Sequence, residues 1–365
     1  MNFLNQLVTD MCKKNIGIIT FHSDTNYGAF LQAFALTQCL RLEGYKASII
    51  DYRKIPNVPH YGLIKSIASR LFDIPRSRRY FKFIAPMLSN VRYDSFEDLK
   101  NRFSEEFDVL VSGSDQIWNP KCTGDVLNPA YFLAFVSKEK YKKISYASSI
   151  GSYVYNIEEQ KYVSKWLGEY AHLSSREQQG ADQLMSFLNK NVKVVLDPTL
   201  LLDREEWISH AERVNLNEKY VLVYYIDELE EVMEYARNMA DKIGAKVALI
   251  SNMINKPKGV DIIVRHCGPA QFLWLFDNAE YICTNSFHGT AFAVNFNKNF
   301  VSILKRNSPQ RQQTLLRNVG LISRLLDDIS QLGKLPLKVD FSEANKMLAE
   351  LRQDSLAYLI SAIEK

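Results

Sequence analysis

The run Ile16–Phe21 (IGIITF) is apolar almost throughout and is followed at once by a small polar loop, then by a helical pattern. A strand buried on both faces reads this way, and such strands belong to parallel sheets with helices on both sides. The order recurs. Ala47–Asp51, Asp108–Ser112, Ile144–Ala147, a short stretch near His172–Ser174 and Val192–Leu196 read as further strands. In the first helix, read from about Ala29, residues Leu31, Phe34, Ala35 and Leu42 share a face, and Gly44 is placed to end it. After Asp203 the chain turns polar and charged (REEWISHAERVNLNEK), and then the pattern restarts with Tyr220–Ile226. A helix with Val232, Tyr235, Ala236, Met239 and Ile243 on one face ends at Gly244. Strands follow at Lys246–Ile250, Ile262–Val264, Tyr281–Thr284 and Val301–Leu304, the last closing the sheet, with helices around Phe272–Asn278 and from near Gly289.

This alternation predicts an α/β protein of two Rossmann-like domains, 1–205 and 215–335, facing a central cleft. A length of 365 residues agrees with roughly two domains. Residues 341–364 read as a C-terminal helix that packs back on the first domain.

Charge narrows the partners. Lys and Arg total 45 against 41 Asp and Glu, a net +4, which is too small and too dispersed to argue for nucleic acid. Cys12, Cys39, Cys122, Cys267 and Cys283 form no CxxC pair, so reduced thiols are expected rather than a disulfide or zinc framework. No signal-peptide pattern and no apolar window of about 18 residues is present, which leads to the expectation of a cytoplasmic protein. GxxxxGK[ST], GxGxxG, HExxH and GxSxG are all missing, and no metal site is expected.

Ligands of open α/β sheets bind outside the carboxyl ends of the strands, so the turns there are the candidates. In TNSFHGT, Asn285 and Ser286 are placed to cap a helix, Phe287 and His288 follow, and Gly289 permits close backbone approach. The helix start is suited to an anion, and His288 either meets that anion or simply caps and packs. In SGSDQIWNP, Ser114 lies in a small turn and Asp115 at the cleft mouth, as a general acid or base or as an N-cap; Trp118 stacks on a sugar or packs in the core. In HSDTNYG, residues Asn26, Tyr27 and Gly28 precede a helix, with Asp24 the plainer capping choice. At SSRE, Ser174 and Glu177 have capping-box spacing, and Arg176 either grips an anion with its planar fork or is solvated. Segment 60–88 interleaves Lys65, Arg70, Arg76, Arg78, Arg79 and Lys82 with apolar residues. It reads as a solvated helix pair, or as a peripheral contact with the inner face of a membrane or with a lipid-linked acceptor.

The stretches IGIITFHSDTNYGAFLQAFAL, DVLVSGSDQIWNP, KISYASSIG, SSREQQGADQL, VKVVLDPTLLL and CTNSFHGTAFAVNFNKNFVSI, in this order over about 14–330, resemble the polysaccharide pyruvyl transferase family. The resemblance implies the GT-B glycosyltransferase architecture and transfer of pyruvate from phosphoenolpyruvate onto two hydroxyls of a sugar, as a cyclic ketal, in surface polysaccharide synthesis. It implies no cofactor, and an acceptor that is a sugar, a glycan or a lipid-linked saccharide. His288 matches the family's FHG or LHG histidine, implying phosphate contact and general acid work. Arg176 matches the SxRE-like turn, implying a donor grip, and Asp115 matches the first-domain acid, implying a base. Asn26, Tyr27 and Gly28 then shape the acceptor side, with Ser114, Asn285, Ser286, Phe287 and Gly289 also against substrate. Some members carry Arg where this chain has Ser286; Lys305, Arg306 or Arg311 are the candidates to replace it. A nucleotide-sugar glycosyltransferase and a non-catalytic sugar-binding protein are the competing readings.

Overall fold

The computed structural model describes residues 13–23, 25–53, 63–304 and 310–365, and of 63–72 the backbone alone. The first domain runs β1 (Asn15–Ile19), α1 (Tyr27–Leu42), β2 (Lys46–Tyr52), α2 (Leu63–Ile84), β3 (Leu88–Tyr93), α3 (Phe96–Arg102), β4 (Val109–Ser112) and β5 (Lys142–Ser145). These strands form a parallel sheet in the order β3-β2-β1-β4-β5. Beyond them come α4 (Ile157–Leu167), β6 (Leu173–Ser175), α5 (Gln178–Phe187) and β7 (Val192–Val194). The parallel pair β6-β7 is tied to the main sheet by single bridges, Ile144 to His172 and Ser148 to Ser175.

A linker with a turn at Pro198–Leu200 and α6 (Arg204–Ser209) leads to the second domain. That domain runs β8 (Tyr220–Tyr224), α7 (Leu229–Ile243), β9 (Lys246–Ile250), β10 (Ile262–Val264), α8 (Pro269–Asn278), β11 (Tyr281–Thr284), α9 (Phe287–Asn295), β12 (Phe300–Ile303), α10 (Gln310–Asn318) and β13 (Leu325–Leu326). Its parallel sheet has the order β10-β9-β8-β11-β12-β13. Both sheets therefore reverse direction once, between β1 and β4 and between β8 and β11. A crevice opens at such switch points, where neighbouring loops diverge to opposite faces.

The helix α1 (YGAFLQAFALTQCLRL) has almost no polar face because it is covered on both sides, by β2 and by α8 with the Pro198–Leu200 turn. Two of its buried donors are satisfied locally, Gln32 Nε2 donating to Ala29 O at 2.7 Å and Thr37 Oγ1 to Ala33 O at 2.9 Å. One hydrophobic cluster is continuous through both domains. Tyr27 stacks on Phe272 at 4.6 Å, and Trp207 joins Phe34 to Phe292 at 5.7 and 5.2 Å. The helix α11 (Ser342–Glu364) lies against the first domain, where Lys14 and Lys142 donate to Ile363 O at 2.7 and 3.0 Å and Tyr45 donates to Glu364 at 2.6 Å.

Three sequence expectations need correction. The strand β3 (LSNVRY) went unread because it is an edge strand with polar residues on a half-exposed face. The two-residue β13 lies outside β12, so the Val301–Leu304 strand does not close the sheet. Among the described residues of segment 60–88, one long helix, α2, with Pro75 inside it, is followed by a short 3-10 turn at Ala85–Met87, not by a second helix of a pair; 54–62 lies outside the described residues. Some of the charged side chains of α2 are tied to the rest of the protein. Arg76 donates to Thr25 O and Arg79 to His266 O, both at 2.6 Å, and Asp73 accepts from Asn252 at 2.6 Å, so α2 bridges to the second domain. Among the described residues no helix is long and apolar enough to cross a membrane. Trp118 is packed, stacked on Phe132 with its indole N–H on Tyr131 O.

Candidate active site

The loops after β1, β4, β8 and β11 and the start of α10 wall one cavity of about 270 Å³, lined by Asn26, Asp115, Phe287, His288 and Arg311. Behind it, in a smaller pocket of about 60 Å³ that shares Phe287 and Arg311 as walls, lie Arg176, Glu177 and Asp197, the last just past β7 and 2% exposed. One carboxylate oxygen accepts from Arg176 Nη1 at 2.6 Å and Ser114 Oγ at 3.2 Å, with His288 Nε2 at 3.6 Å. The other accepts from Thr199 N at 2.9 Å and Thr199 Oγ1 at 2.7 Å. Burial works to raise the Asp197 pKa, but His288 and Arg176 outweigh it and hold the carboxyl well below its usual range.

Arg176 is buried and shares its fork among acids, with Glu177 Oε1 at 3.0 Å from Nε and Asp115 Oδ1 at 3.7 Å from Nη2. Burial favours its neutral form; Glu177, Asp197 and Asp115 reverse that and fix the positive charge. The solvated alternative for this arginine is excluded, and so is the capping box. Ser174 sits inside β6 exchanging hydrogen bonds with Ser145, and Glu177 makes no side-chain cap on α5.

Asp115 holds a left-handed backbone (φ 73°), a conformation that aspartate tolerates better than most residues. Its oxygen Oδ1 accepts from Gln116 N, and no helix follows for it to cap. His288 lies in the first turn of α9, directly over Gly28. A β-carbon at Gly28 would stand 1.9 Å from His288 Nδ1. Asn26, rather than Asp24, caps α1, accepting from Gly28 N at 2.9 Å, and Asp24 lies outside the described residues. Ser286 caps α9 through Gly289 N at 3.3 Å. Asn285 holds the loop after β8, accepting from Ile226 N and donating to Asp227 O.

Gly289 is needed for packing: a β-carbon there would meet Thr284 Oγ1 at 2.2 Å. We expect Gly289→Ala to lose about 1–3 kcal/mol by overpacking, read as a lowered urea midpoint. An unchanged midpoint would show that the strand–helix contact yields freely.

The structure thus brings His288, Asp115, Arg176, Asn26, Gly28, Asn285, Ser286 and Phe287 together. Ser114 lies behind Asp197, fully buried, and Tyr27 gives its hydroxyl to Cys267 O at 2.6 Å, which ties the domains together. Arg306 and Lys305 lie outside the described residues. Asp197 and Glu177 went unread as site residues. Asp197 carries the same signal that marked Asp115, an acid just past a strand (VKVVLDPT). Three donors on this cluster have no hydrogen-bond partner: Arg176 Nη2, His288 Nε2 and Arg311 Nε. Buried donors without partners are rare in folded proteins. A wider cavity of about 530 Å³, reaching Arg76, Tyr225 and Asn252, shares Asn26 and Ile226 as a wall with the first. Among the described residues no His, Cys, Asp and Glu group is arranged to hold a metal.

Two Rossmann-like domains with a polar cavity between their switch points define the GT-B fold. Solved structures agree on that fold. UDP-GlcNAc 2-epimerase from Methanocaldococcus jannaschii superposes with a TM-score of 0.54 at 13% identity, over 95% of this chain and 99% of that one. The Neisseria meningitidis UDP-GlcNAc 2-epimerase gives 0.54 at 9% over 96% and 99%, and the glycosyltransferase AviGT4 of avilamycin A biosynthesis 0.52 at 11% over 96% and 97%. No curated protein matches in sequence. The family model for polysaccharide pyruvyl transferase matches residues 26–304, and the chain belongs to that family.

Proposed function

We propose that this protein transfers pyruvate from phosphoenolpyruvate to two hydroxyls of a sugar, forming a cyclic ketal in surface polysaccharide synthesis. The observation that carries the reading is one charged cluster in a chain of this family: His288 and Asp115 line the small cavity, and Arg176 and Asp197, paired with them, lie just behind it. The donor has two anionic groups, and the cavity offers unpartnered guanidinium and imidazole donors to receive them.

In this reading His288 gives a proton to the methylene carbon, which becomes the methyl group. The adjacent carbon, left electron-poor, is attacked by one sugar hydroxyl, whose proton passes to Asp115. The second hydroxyl then displaces phosphate. One hydroxyl proton is thereby accounted for by the methyl group, and the other leaves with phosphate. Asp197 does no proton transfer; it fixes Arg176 and carries the charge that faces His288. The larger neighbouring cavity takes the sugar, whether free, part of a glycan or lipid-linked.

The test is phosphate release from phosphoenolpyruvate over a panel of sugar acceptors. Release should require an acceptor, and His288→Ala should slow it about 10²–10⁴-fold while the circular dichroism stays native. Full activity in that variant would remove His288 from the chemistry. Turnover of UDP- or GDP-sugars, with none of phosphoenolpyruvate, would favour a nucleotide-sugar transferase instead.

A further inference from the structure

Resting on the donor reading above, we infer that Arg311 grips the donor's carboxylate, leaving the phosphate to His288 and the start of α9. Of the two guanidiniums nearest the donor cavity, Arg311 lines it, whereas Arg176 lies in the small pocket behind it and is held by Asp197 and Glu177. Arg311 forms no ion pair among the described residues, and its buried Nε has no hydrogen-bond partner. The two arginines flank one ring, with Arg176 4.9 Å and Arg311 5.8 Å from the centre of Phe287. Both cations thus lie against Phe287, but among the described residues only Arg176 has carboxylate partners. At the position where a cation would otherwise rise from the helix start, Ser286 is short and committed to capping Gly289.

Charge balance points the same way. Burial, and then Arg176, disfavour the charged form of Arg311, while Glu177 and Asp115 oppose them only from a distance. A guanidinium kept in such a place gains when an anion enters. A planar carboxylate matches its fork with two parallel hydrogen bonds. The dianionic phosphate suits the first turn of α9, where His288 projects and the helix dipole is positive.

Calorimetric titration of the full chain with phosphoenolpyruvate, and separately with inorganic phosphate, tests this. Arg311→Ala should weaken phosphoenolpyruvate about 10- to 100-fold while leaving phosphate within about twofold. Arg311→Lys, which keeps charge but loses the fork, should fall between and serves if the alanine variant folds poorly. Equal weakening of both ligands, or no change in either, would overturn the assignment to Arg311. Failure of the unaltered chain to bind phosphoenolpyruvate would instead refute the donor reading.

Discussion

Replacing Asp197 by alanine should cost about 3–5 kcal/mol of stability, because it leaves the buried Arg176 guanidinium without its closest partner. No surface ion pair of this chain should approach that, since exposed pairs such as Lys161–Glu158 contribute about 0–1 kcal/mol. The loss has a pH signature. The folded pKa of Asp197 lies below its unfolded value, so its contribution is complete above the unfolded value of about 3.9 and is lost as pH falls toward the folded pKa. The stability gap between the unaltered protein and Asp197→Ala, from urea unfolding, should be constant near neutrality and shrink below about pH 4. A gap that grows on acidification, or one under about 1 kcal/mol at pH 7, would mean that Asp197 is not the hub of this site.

Gly28→Ala should slow the reaction about 100-fold, although alanine is intrinsically the better helix residue at a position in the first turn of α1. The added β-carbon would lie 1.9 Å from His288 Nδ1 and 2.5 Å from its Cγ, so the imidazole must move by more than an ångström. That displaces the general acid without touching its chemistry. The glycine and the histidine come from different domains, so the alignment of the acid depends on how the two domains pack here. A double variant with His288→Ala should be no slower than His288→Ala alone. If the two effects multiply instead, Gly28 acts on something other than the histidine.

The fold was legible in the chain because its strands are buried and apolar. IGIITF, DVLVS and YVLVYYI announce themselves, and the glycines at 44 and 244 do take positive φ at helix ends. Legibility failed at the edges. β3 and β13 have one side open to solvent or are too short for a pattern to develop. The site divided similarly. Residues directly past long strands, such as Asp115 and Asn285, stood out in the sequence. Asp197 follows a three-residue strand, and its importance comes from Arg176 and His288, residues 21 and 91 positions away that only folding brings near. Arg311 could not be told from Lys305 or Arg306 in the sequence; the Phe287 ring and the unpaired Nε single it out. In the sequence Gly28 reads as a loop glycine, but what requires it is the ring of His288, a contact between domains.

The central claim is the transfer itself, and mass spectrometry of the acceptor tests it most directly. Sugars with neighbouring hydroxyl pairs, free and lipid-linked, would be incubated with the protein and phosphoenolpyruvate. The account predicts a product heavier than its acceptor by one pyruvate less one water, with one phosphate released for each. A product formed only from nucleotide sugars, heavier by one glycosyl unit, would contradict it.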